Sequence, residues 1–259
     1  MAQQKRPVVL VGLGEMGGVF ARGLLRTGWT LIPLNRGDSL AETAERVPDP
    51  EMVLVAVAEK DLHPVLGSIP EAWRDRIALL QNELLPADWK RHGFEQPTVI
   101  SVWFEKKPGR EFKVLIPSPA YGPGATLLVD ALTSLGIAAR SVSSAEDLLF
   151  ELVLKNVYIV TTNVCGLVTG GTVSQLWAQH EALARQVADE VMDIQATLTG
   201  QDLNRAALIE GMLTAFDGDP EHQCMGRSAP ARLARALVQA DAAKLAVPKL
   251  REIAARSSQ

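Results

Sequence analysis

The chain has 259 residues, of which 47% are hydrophobic and 22% are charged, and its formal net charge is −4. This length and apolar content predict a packed globular protein of one large domain or two ordinary ones, and they exclude an extensively disordered chain. The basic residues are dispersed rather than gathered into a patch, which argues against nucleic acid as the main partner.

The first half of the chain alternates short apolar runs with helical ones. The apolar run at 51–58, "EMVLVAVA", is continuous, as in a strand covered on both faces. Ser39 is in position to cap a short helix over 39–47. Strands are predicted at 7–13, 30–36, 51–58, 76–82, 97–104, 111–118 and 137–142, and helices at 16–26, 39–47 and 125–136. Strands alternating with helices predict a doubly wound, mostly parallel sheet.

From Ser143 onward the sequence shows only helical periodicity. Ser144 and Asp147 resemble a helix-capping pair. Helices are predicted at 144–168, 172–199, 202–216, 228–246 and in a short tail from Pro248. We therefore predict an α/β protein, with a Rossmann-type domain over 1–143 followed by a smaller all-helical domain over 144–259.

A glycine-rich segment, "GLGEMG", lies between the first strand and the first helix. Gly12 permits a tight turn, Gly14 lets backbone amides approach a pyrophosphate, and Gly17 lets helix and strand pack closely. The helix N-terminus adds free amides and a positive dipole end. The pattern predicts a dinucleotide site formed by Gly12, Leu13, Gly14, Glu15, Met16 and Gly17, although glycine triplets also occur in ordinary turns.

The second predicted strand ends in Asn35 and Arg36, where an NAD site usually carries an acidic residue. A guanidinium matches the extra phosphate of NADP in charge and geometry, so we predict NADP(H) as cofactor. Two alternatives stay open: Arg36 is simply solvated, or a shift in strand register brings Asp38 to the ribose.

A lysine stands in the most apolar helical segment, "LLFELVLKNVYIVTTN". Lys155, Ile159 and Asn163 follow one another at four-residue spacing, and Thr162 falls on the same side. An apolar environment depresses the pKa of a lysine, so Lys155 could donate a proton near neutral pH. The alternatives are that Lys155 extends its ammonium to solvent, that Asn163 satisfies a helix end, and that Thr162 bonds back to a carbonyl.

These segments resemble the ketopantoate reductases, a family within the 6-phosphogluconate-dehydrogenase-like two-domain reductases. The resemblance is carried by "GLGEMG", "LNR", "LLQNELL", "LKNVYIVTTN" and "LAVPKL" and spans nearly the whole chain. It implies reduction of a 2-keto acid by NADPH, with Lys155 as general acid and Asn163 at the substrate. It also implies that Asn82 lies beside the nicotinamide, and we assign Val57 to the cofactor site as well.

The sequence departs from the family pattern at several substrate positions. Ile159 replaces an asparagine, and "SAP" at 228–230 stands where the family has a glutamate. Gln223 and Cys224 replace a serine motif, and the adjacent His222 is kept as a substrate candidate. The losses favour a bulkier or less polar substrate. The alternative, from a different class, is a non-catalytic NADP-binding module; a scaffold that binds no nucleotide fits the glycine segment poorly.

The remaining features concern partners and location. Cys165 and Cys224 fit no disulfide or metal framework, and no metal site is predicted. No stretch approaches the ~18 apolar residues of a membrane span, and the N-terminus lacks a signal-peptide cleavage pattern. We therefore expect a cytoplasmic protein that binds a small-molecule substrate, with neither nucleic acid nor membrane as partner. The resemblance adds a possible homodimer.

Overall fold

The computed structural model describes residues 5–106, 109 and 111–257. Seven strands form one sheet in the order β2-β1-β3-β4-β5-β8-β9, and β6 pairs with β7 separately. The strands are β1 Val8–Val11, β2 Leu31–Leu34, β3 Met52–Val55, β4 Ile77–Leu79, β5 Thr98–Ile100, β6 Phe104–Glu105, β7 Lys113–Val114, β8 Ser118–Tyr121 and β9 Ala139–Ser141. The mostly parallel sheet confirms the predicted fold class.

Helices cover the sheet and then form the rest of the chain. They are α1 Glu15–Arg26, α2 Leu40–Arg46, α3 Leu62–Gly67, α4 Pro86–Lys90, α5 Ala125–Thr133, α6 Ala145–Thr169, α7 Val173–Thr199, α8 Arg205–Gly218, α9 Ala229–Ala242 and α10 Pro248–Ser257. Two short 3₁₀ helices, Glu59–Asp61 and Glu71–Arg76, join the early elements. After β9 the described residues form only helices and their connections, as predicted.

The central strand β1 determines where a ligand fits on the sheet. All four residues of β1 are apolar and buried, because helices cover both faces of a parallel sheet. β1 pairs in parallel with β2 on one side and β3 on the other. Chain connections therefore leave in opposite directions around β1, and such a switch point opens a crevice at the carboxyl ends of the strands.

Two predicted strands were wrong in extent, because each is divided. The run at 97–104 contains β5 and the start of β6, and the run at 111–118 contains β7 and the start of β8. Pro117 precedes β8; it has no amide hydrogen for a ladder and restricts the residue before it. The backbone therefore bends at Leu115 and Ile116, so that β7 pairs with β6 while β8 runs antiparallel to β5. Residues 107, 108 and 110 of the predicted basic turn lie outside the described residues.

Helix-capping residues were predicted correctly at two positions. Ser39 accepts a hydrogen bond from the amide of Glu42 at 3.2 Å, and Ser144 accepts one from the amide of Asp147 at 3.0 Å. The Ser143 hydroxyl also donates to Asp147 at 2.8 Å, and these bonds hold the pKa of the Asp147 carboxyl below its usual value. The long helix α6 thus begins where the serine pair predicts.

The prediction that no segment is apolar enough for a membrane span was wrong for helix α6. It contains an 18-residue window with mean hydropathy 1.4, which passes that test by length and composition. However, 89% of the window is buried within the protein. Such burial is typical of a core helix.

The chain forms two compact units, Met1–Leu149 and Phe150–Gln259, and the division lies inside α6. In the first unit, α1 packs against α5 so closely that a methyl group on Gly23 would lie 2.3 Å from the carbonyl oxygen of Ala131. In the second unit, Val157 and Val164 of α6 and Val187 of α7 are fully buried.

Candidate functional site

The first and third glycines of the loop are required by close backbone packing. Gly12 has φ +97°, and a Cβ there would lie 2.6 Å from the carbonyl oxygen of Ala56. A Cβ on Gly17 would lie 2.0 Å from the carbonyl oxygen of Gly12. Because real Cβ atoms do not approach oxygen so closely, α1 can begin directly beside the β1 turn only with glycine at both positions.

Among the described residues, no packing contact requires glycine at the second position. Gly14 is the N-cap of α1, with φ −67°, and a Cβ added to it would meet no atom within 4 Å. The space beside Gly14, at the start of α1, is therefore open among the described residues. Such an arrangement suits an anionic group such as a pyrophosphate.

The other loop residues differ in exposure. Leu13 and Glu15 are exposed, whereas Met16 is half-buried. Glu15 pairs with Lys106 at 3.5 Å, which brings a cation from the end of β6 to the N-terminus of α1. Lys106 was not among the predicted site residues.

The end of β2 places both candidate selectivity groups in exposed positions. The Arg36 side chain is 83% exposed and pairs with Asp61 at 2.9 Å. The Asp38 carboxylate accepts a hydrogen bond from the amide of Asn35 at 2.7 Å. Asp38 thus does lie at the strand end, beside Asn35 and two residues from Arg36.

The segments after β3 and β4 border the same edge of the sheet. Val57 is half-buried and lies next to the glycine loop, since a Cβ on Gly12 would be 3.3 Å from its Cγ1. Asn82 is exposed. Its neighbour Gln81 is 8% exposed and donates to the carbonyl oxygen of Val55 at 2.8 Å. Gln81 therefore ties β4 to β3 and holds the turn that carries Asn82.

In the second unit, Lys155 is half-buried, whereas its neighbours on α6 at 151–154 and 156–166 are buried. Its Nζ lies 5.7 Å from the centre of the Tyr158 ring, in the range of a cation–π contact. Burial lowers the pKa of Lys155 to about 7, and the positive charge of Arg232 lowers it in addition. Near neutral pH the amine thus exchanges a proton readily, as a general acid must.

Two of the substrate candidates, Ile159 and Thr162, are buried, and the Thr162 hydroxyl bonds within the helix. Ile159 is 6% exposed and Thr162 is 1% exposed. The Thr162 hydroxyl lies 2.8 Å from the carbonyl oxygen of Tyr158 and 3.2 Å from that of Ile159. This geometry corresponds to the alternative in which Thr162 bonds back one turn.

Asn163 links α6 to α9. Its Nδ2 donates to the carbonyl oxygen of Ile159 at 2.9 Å, and its Oδ1 accepts from Arg232 Nη1 at 3.1 Å. The same nitrogen lies 3.3 Å from the Ser228 hydroxyl. Arg232 therefore lies within hydrogen-bonding distance of both Asn163 and Ser228.

The candidates before α9 lie in a loop joined to the start of α7. Gln223 is exposed, and its backbone forms a bridge with Thr172. His222 Nδ1 lies 3.3 Å from the carboxylate of the buried Asp219, and the His222 ring is 6.3 Å from that of Tyr158. Tyr158 thus lies near both Lys155 and His222.

Both cysteines are buried thiols. Burial raises the pKa of Cys165 to about 12 and that of Cys224 to about 11, so neither is a thiolate at neutral pH. Within the part of the chain that the structure describes, no group of three or more His, Cys, Asp or Glu residues is arranged to hold a metal ion.

Arg232 is the main site residue that the sequence did not reveal. The segment "APARLARAL" carries Arg232 and Arg235 three residues apart, and helical periodicity alone does not tell which arginine meets α6. Arg232 and Asn163 are 69 positions apart, so only the packing of α9 brings them together.

No protein-family model and no curated protein matches the chain, whereas solved structures do. A 2-dehydropantoate 2-reductase from Methylococcus capsulatus superposes with a TM-score of 0.68 at 15% identity, over 98% of each chain. A PanE/ApbA family ketopantoate reductase from Ralstonia eutropha JMP134 gives 0.67 at 15% identity, over 97% of each chain.

A D-mandelate dehydrogenase in a ternary structure with NADH and anilino(oxo)acetate gives a TM-score of 0.65 at 12% identity, over 97% of each chain. At such identities the likeness concerns the fold, and it extends over both compact units. The chain therefore has the fold of the solved ketopantoate reductases, as the resemblance of its motifs predicted.

Proposed function

We propose that the chain is an NADP(H)-dependent reductase of small 2-oxo acids. The observation that carries the proposal is Lys155, an amine with a pKa of about 7 on a buried apolar helix. A lysine in such a place lowers stability, and a proton-transfer role explains its presence. Support comes from the glycine loop and from the fold, which oxidoreductases of 2-oxo and 2-hydroxy acids share.

The residues of the first unit fit a dinucleotide. The amides at the start of α1 and the open space beside Gly14 would hold the pyrophosphate. Arg36 would bind the 2′-phosphate, and Asn35, Val57 and Asn82 would border the remainder. When bound, the reduced nicotinamide supplies a hydride to the substrate carbonyl carbon.

Lys155 would supply the proton that completes the reduction. As the carbonyl bond opens, its oxygen gains negative charge and takes a proton from Nζ of Lys155, which yields the 2-hydroxy acid. The neutral amine then regains a proton from solvent, which is rapid for a group with a pKa of about 7. Asn163, held by α6 and α9, would orient the substrate beside Lys155.

The test is NADPH oxidation with ketopantoate, pyruvate and benzoylformate, using wild type and Lys155→Met. We expect the variant to lose about 10²- to 10⁴-fold in kcat, the usual contribution of a positioned acid. Lys90→Met, which changes an exposed lysine on α4, is the matched control. In wild type, kcat/KM for reduction is expected to fall as pH rises through about 7, because Lys155 then loses its proton.

A second candidate function is a module that binds NADP(H) without chemistry. It is favoured by the occupied Thr162 hydroxyl and the buried Ile159, which leave few polar groups of α6 for a substrate. NADPH binding without turnover of any carbonyl or imine in a broad screen would support this candidate and contradict the reductase.

A further inference from the structure

Arg232 brings a guanidinium to the polar end of α6. Its Nη1 is 3.1 Å from Asn163 Oδ1 and 3.3 Å from the Ser228 hydroxyl. Asn163 is only 9% exposed and is itself fixed by the carbonyl oxygen of Ile159. The orientation of the guanidinium is therefore set by a buried amide that cannot easily turn.

The charge of Arg232 reaches Lys155. After burial, it is the second cause that lowers the pKa of the lysine, as the repulsion between two cations does. Two cations next to an apolar helix repel each other. A negatively charged ligand at this end of the second unit would be attracted by both cations.

A carboxylate matches the guanidinium in shape as well as in charge. The planar fork of arginine donates two parallel hydrogen bonds to the two oxygens of a carboxylate. In a 2-oxo acid, the carboxylate is one bond away from the carbonyl that Lys155 would protonate. One small molecule can thus present an anion to Arg232 and a proton acceptor to Lys155.

We propose that Arg232 binds the substrate carboxylate and thereby restricts the enzyme to 2-oxo acids. The proposal rests on the reductase function above. Neutral ketones, esters and amides lack the anion and are poor substrates. In this assignment the substrate carboxylate binds beside Asn163 and Ser228, the two groups that Arg232 contacts.

The experiment compares each acid with its methyl ester, using benzoylformate and methyl benzoylformate. In wild type the acid is the better substrate, and Arg232→Gln lowers its kcat/KM by about 10- to 100-fold, as expected for a lost hydrogen bond to a charged group. The acid-to-ester ratio of kcat/KM falls by the same factor, because the effects of the substitution on Lys155 and Asn163 apply to both substrates and cancel in the ratio. Arg227→Gln, which changes an exposed arginine before α9, keeps the wild-type preference.

A second variant separates the charge of Arg232 from its geometry, and a binding measurement separates binding from turnover. Arg232→Lys retains the charge without the fork and is expected to recover part of the preference, and thermal melting checks that each variant folds. Calorimetric titration of benzoylformate into the protein with NADP⁺ measures binding independently of turnover.

The outcomes separate the two proposals. Turnover with the same acid-to-ester ratio in wild type and Arg232→Gln overturns the role of Arg232 and leaves the reductase intact. Binding of the acid without turnover, lost in Arg232→Gln, supports Arg232 and overturns the reductase. Absence of both binding and turnover in wild type overturns both.

Discussion

Arg36 is held in place weakly, and its freedom makes it testable as the selectivity residue. The Arg36 side chain is 83% exposed and that of its partner Asp61 is 35% exposed. Ion pairs near the surface contribute about 0–1 kcal/mol. The free-energy cost of breaking the Arg36–Asp61 pair, so that Arg36 can bind a ligand phosphate, is therefore small. The nearby Asp38 is the alternative determinant of cofactor preference. A carboxylate at this strand end can accept hydrogen bonds from the ribose hydroxyls of NAD.

We expect Arg36→Ala to lower kcat/KM for NADPH by about 10-fold, the low end for a charge-assisted hydrogen bond, because the site is exposed. The value for NADH should not change. Steady-state rates with both cofactors measure the ratio, and Arg26→Ala, at the far end of α1, is the control. A wild-type preference for NADH would instead identify Asp38 as the determinant.

At the scale of single elements, the adjacent glycines Gly17 and Gly18 of α1 have different roles in packing. A methyl group on Gly17 would collide with the backbone oxygen of Gly12, whereas one on Gly18 would meet no atom within 4 Å. The first glycine therefore serves contact between loop and helix. The second only lowers helix propensity.

We expect Gly17→Ala to destabilise the protein by about 1–3 kcal/mol and to weaken NADPH binding, because the helix start must shift. Gly18→Ala should gain about 0.5–1 kcal/mol, since alanine restricts the unfolded chain more than glycine does. Urea unfolding and NADPH fluorescence titration measure the two effects. Equal changes in both variants would contradict the packing argument.

Local patterns predicted the elements better than their exact extents. The tight turn and close packing at Gly12 and Gly17, the Ser39 cap and the start of α6 depend on residues near in sequence, and these features were predicted correctly. The dinucleotide site at the glycine loop stays a prediction. The division of the 111–118 run was not predicted, because Pro117 lies inside an apolar run that otherwise matches a single strand. Arg232 could not be predicted, since its neighbours at the site lie on another helix.

At the scale of the whole molecule, acid lowers stability through groups with depressed pKa values. His92 has a lowered pKa, chiefly because of burial and then because of the adjacent His63. Between that value and about 6.5 the unfolded chain binds a proton that the folded chain does not, so stability falls as pH drops below about 6.5. Asp147 and Glu252 also have lowered pKa values and add a further loss as pH falls below about 4.

Above pH 7, Lys155 and the two cysteines determine how stability depends on pH. The pKa of Lys155 is 10.5 in the unfolded chain and about 7 when folded, so the unfolded state binds more protons between these values and stability rises with pH. Cys165 and Cys224 have raised pKa values, so stability falls once unfolded thiols ionise above 9.0. The opposite signs place maximum stability near pH ~9.

Lys155→Met should remove the rise between pH 7 and pH 9. Wild type is expected to gain up to about 1.4 kcal/mol per pH unit across this interval. The variant should be nearly flat and more stable than wild type at pH 7, where wild type must bury a partly charged amine. Urea unfolding followed by circular dichroism measures both curves, with Lys90→Met as control. Parallel curves for wild type and Lys155→Met would contradict a depressed lysine pKa, and with it the reason for assigning the proton-donor role to Lys155.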